Sequence, residues 1–144
     1  MLGGDDEMNA VIAEYGKTQQ AQAMDVTPHR LVQMLMQSAI DKMAVGKGCM
    51  ERKDIDGTHQ NLSVVMTIIM TLRGSLDMEV GGEISINLDL LYGYMNTRLL
   101  EAISKHDTKA IDEVSSLMKE LARGWAGMPQ EIKEAKDLSQ FAKS

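Results

Sequence analysis

The three histidines of the chain, His29, His59 and His106, are the side chains best suited to acid–base or metal chemistry. A di-iron helical bundle uses Glu three residues before His on two helices, and none of these histidines has Glu at that position. A phosphotransfer bundle would carry its histidine in the middle of a helix, whereas each of these falls at or near a predicted helix end. We therefore expect no catalytic histidine and expect these rings to be solvated.

Residues 77–88 partly match a calcium-binding loop. Asp77, Glu79 and Gly82 fall where such a loop places two acidic ligands and its turn glycine. The closing position, which needs a bidentate glutamate, is occupied by Leu88. We therefore expect no metal at this segment.

A small helical enzyme of the chorismate-mutase type would need several arginines that converge on an anionic substrate. The arginines of this chain are scattered over the predicted segments, and no two share a local face: Arg30, Arg52, Arg73, Arg98 and Arg123. No serine, histidine and aspartate fall in a recognisable catalytic context either. The sequence predicts neither an enzyme nor a bound cofactor.

Composition indicates a helical domain with a restricted set of partners. A chain of 144 residues can bury a core without disulfides, and 44% hydrophobic against 3% aromatic residues predicts a core of aliphatic side chains and methionine. The formal net charge of −6 argues against nucleic acid as a partner, and no apolar run reaches the roughly 20 residues that would insert across a membrane. The single cysteine, Cys49, fits a reducing cytosol and is expected to be buried.

Hydrophobic spacing predicts an all-α fold, an antiparallel four-helix bundle over residues 27–128. Its first helix begins with Thr27 as N-cap and Pro28 in the first turn. Residues 129–144 are predicted to be a tail or a short C-terminal helix. Residues 1–7 are interpreted as additions ahead of a natural start at the following methionine.

Two boundaries inside the bundle are predicted from glycine and capping signals. The second helix is expected to end within 77–82, where a glycine pair permits positive φ and turns the chain into a third helix near Glu83. The fourth helix is expected to be capped by Asp107 or Thr108.

Residues 1–26 are predicted to form an N-terminal arm. The arm contains an apolar cluster of Val11, Ile12 and Tyr15, followed by a glutamine-rich stretch. Such a segment cannot bury its apolar side chains alone. It either packs permanently across the bundle or covers an apolar groove reversibly.

Methionine is abundant, with 13 residues. Its unbranched, polarizable side chain adapts to several apolar shapes. Met36, Met66 and Met70 therefore either replace leucine in the core or line a groove that accepts another helix.

Two of the three tyrosines lie two residues apart in the third predicted helix, at Tyr92 and Tyr94. Tyr92 shares a helical stripe with Leu88 and Met95 and is predicted to lie in the core. Because each residue turns a helix by about 100°, Tyr94 points about 200° away from Tyr92. We expect Tyr94 to be available to a groove or to the arm.

The order of the sequence motifs is distinctive. GGEISINLDLLYGYM at 81–95 is followed two residues later by RLLEA at 98–102. TPHRL opens the first helix at 27–31, and RGW closes the last at 123–125. From Asn9 to Trp125 this order resembles the flagellar secretion chaperones, the FliS family of small helical proteins that escort flagellin. The chain departs from the family pattern at Met36, where an aromatic residue is usual, and around Tyr15, which lies in EYGKTQQ.

The resemblance implies a cytosolic export chaperone that binds the disordered C-terminal segment of flagellin, prevents premature polymerisation and delivers flagellin to the export apparatus. It also implies that the arm covers a groove until flagellin arrives, and that export-gate components and flagellar regulators are further partners. The residues predicted to contact the client or the arm are Val11, Ile12, Tyr15, Met36, Met66, Met70, Tyr94 and Arg98. The alternative is a generic helical adaptor or regulator that binds another amphipathic helix.

Overall fold

The computed structural model describes residues 26–127, which contain four α-helices. They are α1 (Pro28–Glu51), α2 (Ile55–Gly74), α3 (Met78–Lys105) and α4 (Thr108–Ala126). Each helix packs against the next, and α4 packs back on α1, so the four form a closed ring. Because only short turns join them, neighbouring helices run antiparallel. The prediction of an all-α four-helix bundle is confirmed.

The predicted arm and tail lie outside the described residues. Val11, Ile12 and Tyr15 therefore stay predictions, as do the short C-terminal helix and the interpretation of residues 1–7. Among the helices of the described range, none is both long and apolar enough to cross a bilayer.

A side chain caps the start of each helix and so explains where the helices begin. Thr27 accepts a hydrogen bond from the backbone N–H of Arg30 at 3.0 Å, as predicted. Asp54, Asp77 and Asp107 cap α2, α3 and α4 in the same way. Each cap satisfies an N–H group that has no partner within its helix and contributes about 1 kcal/mol. Asp107, of the two alternatives, is the cap of α4.

The core consists of aliphatic side chains and methionine, as the composition predicts. Met43, Met95 and Met118 are fully buried at its centre. Cys49 is also buried, in agreement with the prediction for a small apolar side chain.

The boundary between α2 and α3 differs from the prediction. α2 ends at Gly74, and Asp77 starts α3 by accepting hydrogen bonds from two backbone N–H groups of the first turn, at 3.1 and 3.0 Å. The glycine pair therefore lies inside α3, where Gly82 has φ 55° and ψ −133° and kinks the helix. The predicted positive φ is found at Gly82, and the longer part of α3 runs on from Glu83 as expected. The predicted end of α2 within 77–82 is wrong, because α2 ends at Gly74 and the aspartate cap starts a helical turn ahead of the glycines.

The turn between α1 and α2 is short and spans residues 52–54. α1 continues through Gly46 and Gly48, and α2 begins at Ile55, within the charged segment 53–57. At Gly46 the two helices approach closely, since a Cβ there would lie 2.9 Å from Cδ2 of Leu62. Gly46 therefore serves helix packing rather than helix termination.

His29 and Trp125 join the start of α1 to the end of α4. Their rings are stacked, with centroids 4.9 Å apart and planes 10° from parallel. His29 Nε2 donates to the Trp125 carbonyl oxygen at 3.0 Å, and Trp125 Nε1 donates to the His29 carbonyl oxygen at 2.9 Å. Because a carbonyl oxygen only accepts, His29 carries a proton on Nε2. We call this pair the terminal clamp.

The terminal clamp corrects the prediction for one histidine. His29 is buried, because stacking and the reciprocal hydrogen bonds replace its contacts with water. His59 and His106 are exposed at the surface, as predicted.

Candidate partner-binding surface

The outer face of α3 carries a row of exposed apolar side chains. We call them the α3 stripe: Ile86, Leu90, Tyr94 and Leu100. At about 100° per residue they fall within an arc of roughly 120°, which is the width of an amphipathic helix face. Leu90 is the most exposed of them, at 64%. No helix of the described range covers this face.

The opposite face of α3 explains why the stripe points outward. Tyr92, Met95, Leu99 and Ala102 are buried there and hold α3 in the bundle. A helix that is apolar on both faces has more apolar surface than one core can bury. Exposed apolar rows of this kind are typical of surfaces that bind a partner.

On its α2 side, the stripe is bordered by an ion pair. Arg73 Nε donates to Asp89 Oδ1 at 2.6 Å, and Nη2 donates to Oδ2 at 3.3 Å. These hydrogen bonds and the positive charge of Arg73 lower the pKa of the Asp89 carboxyl. The carboxylate is thus kept ionised and fixed in position beside the stripe.

Arg73 lies flat across α3 because residue 93 has no side chain. A Cβ at Gly93 would lie 3.2 Å from both Nη1 and Nη2 of Arg73. The glycine between the two tyrosines therefore makes room for a guanidinium group. A planar guanidinium beside exposed apolar side chains can bind a carboxylate of a partner in a bidentate way.

Two of the predicted methionines flank this border on α2. Met66, Met70 and Arg73 share one face of α2 by helical spacing. The Met66 carbonyl oxygen accepts a hydrogen bond from Asn96 Nδ2 of α3 at 3.4 Å. Met66 is partly buried against the core, and Met70 is exposed. Both methionines therefore lie at the edge between α2 and α3, next to the stripe.

On its α4 side, the stripe is bordered by a hydrogen-bond network around Glu113. The Tyr94 hydroxyl donates to Glu113 Oε2, and Arg98 Nε donates to Glu113 Oε1 at 2.8 Å. Arg98 Nη1 also donates to Glu101 Oε1 at 3.3 Å. The hydrogen bonds from Tyr94 and Arg98 lower the pKa of Glu113, and the bond to Glu113 raises the pKa of Tyr94.

The network fixes where Tyr94 stands. Its ring is exposed at 45%, while its hydroxyl is held by α4. A partner would therefore meet a ring whose orientation is already set. Preorganised aromatic rings contribute contact area at a low cost in conformational entropy.

The predicted positions of the two tyrosines are confirmed. Tyr92 is 4% exposed, and burial raises its pKa to about 12. Tyr94 is exposed on the other side of the helix. Arg98 also reaches the surface, but both its partners are carboxylates of the protein itself, Glu101 and Glu113.

Met36 is not on a surface in the structure. It is 3% exposed and belongs to the core. Helix α1 has two apolar stripes side by side, and the ring of helices covers the one that contains Met36. The placement of this side chain in an exposed groove is therefore corrected.

Sequence reasoning missed Ile86, Leu90 and Leu100. The abundance of methionine directed the prediction to Met66 and Met70. The apolar spacing of the third helix nevertheless contained a signal for the exposed residues. Once one apolar stripe is assigned to the core, leucine and isoleucine about half a turn away have to be exposed.

Metal ligands do not gather at this surface or elsewhere in residues 26–127, where no three His, Cys, Asp or Glu side chains converge. Asp77 of the calcium-like segment uses its carboxylate as the N-cap of α3.

Comparison with known proteins places the chain in a family. The family model described as flagellar protein FliS matches residues 11–132. The chain belongs to the flagellar protein FliS family. The resemblance noted in the sequence is thereby confirmed, and the FliS family is one of chaperones rather than enzymes.

Three FliS relatives are similar over most of their length. The flagellar secretion chaperone FliSB of Pseudomonas aeruginosa is 45% identical over 109 residues, which cover 76% of this chain and 86% of the relative. The flagellar secretion chaperone FliS of Vibrio cholerae is 36% identical over 77% of this chain and 82% of its own length. The flagellar secretion chaperone FliS of Salmonella typhimurium is 38% identical over 71% of this chain and 76% of its own length.

Proposed function

We propose that this chain is a cytosolic export chaperone that binds the disordered C-terminal segment of flagellin along the α3 stripe. Binding would prevent premature polymerisation and deliver flagellin to the flagellar export apparatus. Membership of the FliS family and similarity to proteins named flagellar secretion chaperones support the role. The observation that carries the binding site is the row of exposed apolar side chains on α3, which no helix within residues 26–127 covers.

The stripe suits an amphipathic segment that folds as it binds. A helix laid along α3 would place apolar residues at every third or fourth position against Ile86, Leu90 and Tyr94. A disordered segment loses conformational entropy when it orders, so each contact contributes little net affinity and a long contact is needed. The stripe extends from Ile86 to Leu100, about 20 Å along the helix axis.

The charged borders suit the same kind of partner. Arg73 on one side and Arg98 on the other are each held by a carboxylate of the bundle. These pairs are partly exposed, so a partner's own charged residues can exchange with them at little cost. They set the register of the bound helix, while the apolar stripe supplies the affinity.

The proposal is tested by measuring flagellin binding with two matched variants of the chaperone. Ile86→Ser removes an apolar side chain of the stripe, and Ile55→Ser removes one of similar exposure at the start of α2, 47% against 58%. We expect Ile86→Ser to weaken binding by about tenfold, from lost apolar burial, and Ile55→Ser to leave it within about twofold. Isothermal titration with purified flagellin gives both values.

A flagellin lacking its C-terminal segment separates the proposal from the adaptor alternative. If the chain is a chaperone for the C-terminal segment of flagellin, this truncation should abolish flagellin binding. Undiminished binding of truncated flagellin would favour a general adaptor instead. Equal effects of the two isoleucine variants would show that the binding site lies elsewhere on the molecule.

A further inference from the structure

A second surface lies between α1 and α4, away from the α3 stripe. It is a groove of about 520 Å³, which we call the α1–α4 groove. The side chains of its lining that matter here are Arg30, Met34, Asp41, Ala122, Arg123 and Ala126. Met34 and the two alanines are its apolar side chains, and Gln33, Gln37 and Ser38 also line it. The alanines leave room for a helix to approach closely.

The groove is basic at one end and acidic at the other. Arg30 and Arg123 lie at the end where α1 begins and α4 finishes, and neither makes an ion pair within residues 26–127; Arg30 Nη1 donates only to Gln33 at 3.2 Å. Asp41 lies three helical turns further along α1, about 16 Å away. Its carboxylate accepts a hydrogen bond from Gln37 at 3.0 Å.

We propose that the chain's own C-terminal segment, residues 128–144, docks in the α1–α4 groove as an amphipathic helix. The segment starts directly after Gly127, next to the groove wall formed by Ala126. Pro129 suits the first turn of a new helix. The apolar residues of the segment recur at helical spacing: Ile132, Ala135, Leu138 and Phe141.

The charges of the segment match those of the groove along its axis. A helix that folds back from the end of α4 runs parallel to α1. Glu131 and Glu134 come first and meet Arg30 and Arg123. Lys133 and Lys136 of the same stretch fall on the opposite side of such a helix, away from the groove. Lys143 follows nine residues after Glu134, about 14 Å along a helix, which brings it to the Asp41 end.

The arm fits the groove less well than the C-terminal segment. It joins α1 at the same end, but between residues 18 and 26 it has one acidic residue, Asp25, whereas the C-terminal segment offers two, Glu131 and Glu134, one for each arginine. The family model ends at residue 132, so most of the C-terminal segment lies outside the part that FliS proteins share. The docking is thus a property of this chain rather than of its family.

Disulfide trapping in the full chain tests the docking. With Cys49→Ala to remove the native thiol, Ser38→Cys in the groove is paired with Ala142→Cys. If Glu134 lies at Arg30, Ala142 lies at Ser38, since each is eight residues further on. The control pairs Ala142→Cys with Ser63→Cys, an exposed position on α2. On oxidation, we expect the two cysteines of the groove pair to form a disulfide about tenfold faster than those of the control pair. The reason is that docking raises the effective concentration of one cysteine at the other.

Charge reversal adds a second readout. We expect the double substitution Glu131→Lys and Glu134→Lys to lower the rate of disulfide formation in the groove pair to that of the control pair. Adding Arg30→Glu and Arg123→Glu in the same chain should restore the faster rate. Each of these four substitutions exchanges one charged side chain for another, so we expect circular dichroism to report an unchanged fold. Equal rates for the groove and control pairs overturn the proposal. Faster closure of Ser38→Cys with Ala21→Cys of the arm, or disulfides that join two chains, overturn it as well.

Discussion

Tyr92 and Tyr94 show how two positions of separation place the same side chain in opposite environments. Tyr92 is packed in the core, where burial raises its pKa to about 12. Tyr94 stands at the border of the α3 stripe, and its hydroxyl is held by Glu113 on the neighbouring helix. One ring stabilises the bundle, and the other is exposed on the outer face of α3.

Replacement of each tyrosine by alanine should separate these roles. We expect Tyr94→Ala to leave the midpoint of urea unfolding nearly unchanged and to weaken flagellin binding by about tenfold. Tyr92→Ala should cost roughly 3–5 kcal/mol of stability because it leaves a cavity. Urea unfolding and titration calorimetry measure the two quantities. A Tyr94→Ala variant that unfolds easily but binds with full affinity would reverse this assignment.

The tyrosine pair also shows how far the sequence predicts the candidate surface. Helical geometry alone places Tyr92 inside and Tyr94 outside, because both lie on one helix of known phase. Met36 could not be placed in the same way, since its burial depends on which neighbours cover α1. Gly93 could not be assigned a role either, because the Arg73 that lies across it comes from another helix.

At the scale of elements, α3 is tied to its neighbours by ion pairs on both sides. Arg73 and Asp89 connect it to α2, and Arg98 and Glu113 connect it to α4. Both pairs lie at the borders of the stripe rather than beneath it. They hold the face of α3 in a fixed orientation while leaving its apolar side chains uncovered.

The link from α3 to α4 should depend on pH through Glu113. Its pKa is lowered in the folded chain, so its ionised form stabilises the fold above the ordinary value of 4.5, and this contribution is lost as the pH falls through the lowered pKa. We expect Glu113→Gln to be less stable than the parent chain near pH 7, with the difference fading as the pH falls below 4.5 and through the lowered pKa. Urea unfolding over this range measures it.

Glu120→Gln is the matched control on the same helix, because Glu120 is exposed and makes no ion pair with any residue in 26–127. Its difference from the parent chain should be small at every pH. If the difference in unfolding free energy between Glu113→Gln and the parent chain stays constant with pH, ionisation of this carboxyl is not coupled to folding.

The helices were predictable from the sequence, whereas two of their boundaries were not. Apolar spacing and Thr27, Pro28 and Asp107 signal the order and most of the starts correctly. Glycine is an ambiguous signal because it serves three purposes: ending a helix, kinking one, and letting two helices approach. Gly82 and Gly46 serve the last two, and only the tertiary structure distinguishes them.

At the scale of the whole molecule, the terminal clamp joins the two ends of the described chain. His29→Ala would remove the side-chain hydrogen bond to the Trp125 carbonyl oxygen and the stacking partner of the indole ring. We expect a loss of about 1–3 kcal/mol in unfolding free energy. Emission of Trp125, the single tryptophan, should shift to longer wavelength as water reaches it.

His59→Ala provides the comparison, because His59 is exposed on α2. Its stability should change by no more than about 0.5 kcal/mol, with no shift in emission. Equal effects of the two substitutions would show that the clamp contributes nothing specific to the bundle.

The α3 stripe and the α1–α4 groove lie on separate parts of the ring. A client on the stripe and the C-terminal segment in the groove would therefore not compete for the same side chains. Capture of flagellin and docking of the segment can then occur on one molecule at one time.

Gly46 and Gly82 resist substitution for different reasons, and this difference governs how the sequence can evolve. At Gly46 the obstacle is another side chain, so trimming Leu62 opens a compensated route to alanine. At Gly82 no atom stands in the way of a Cβ; the backbone angles themselves exclude it. A library randomised at both positions and selected for folding should therefore find second-site suppressors for the first glycine and none for the second.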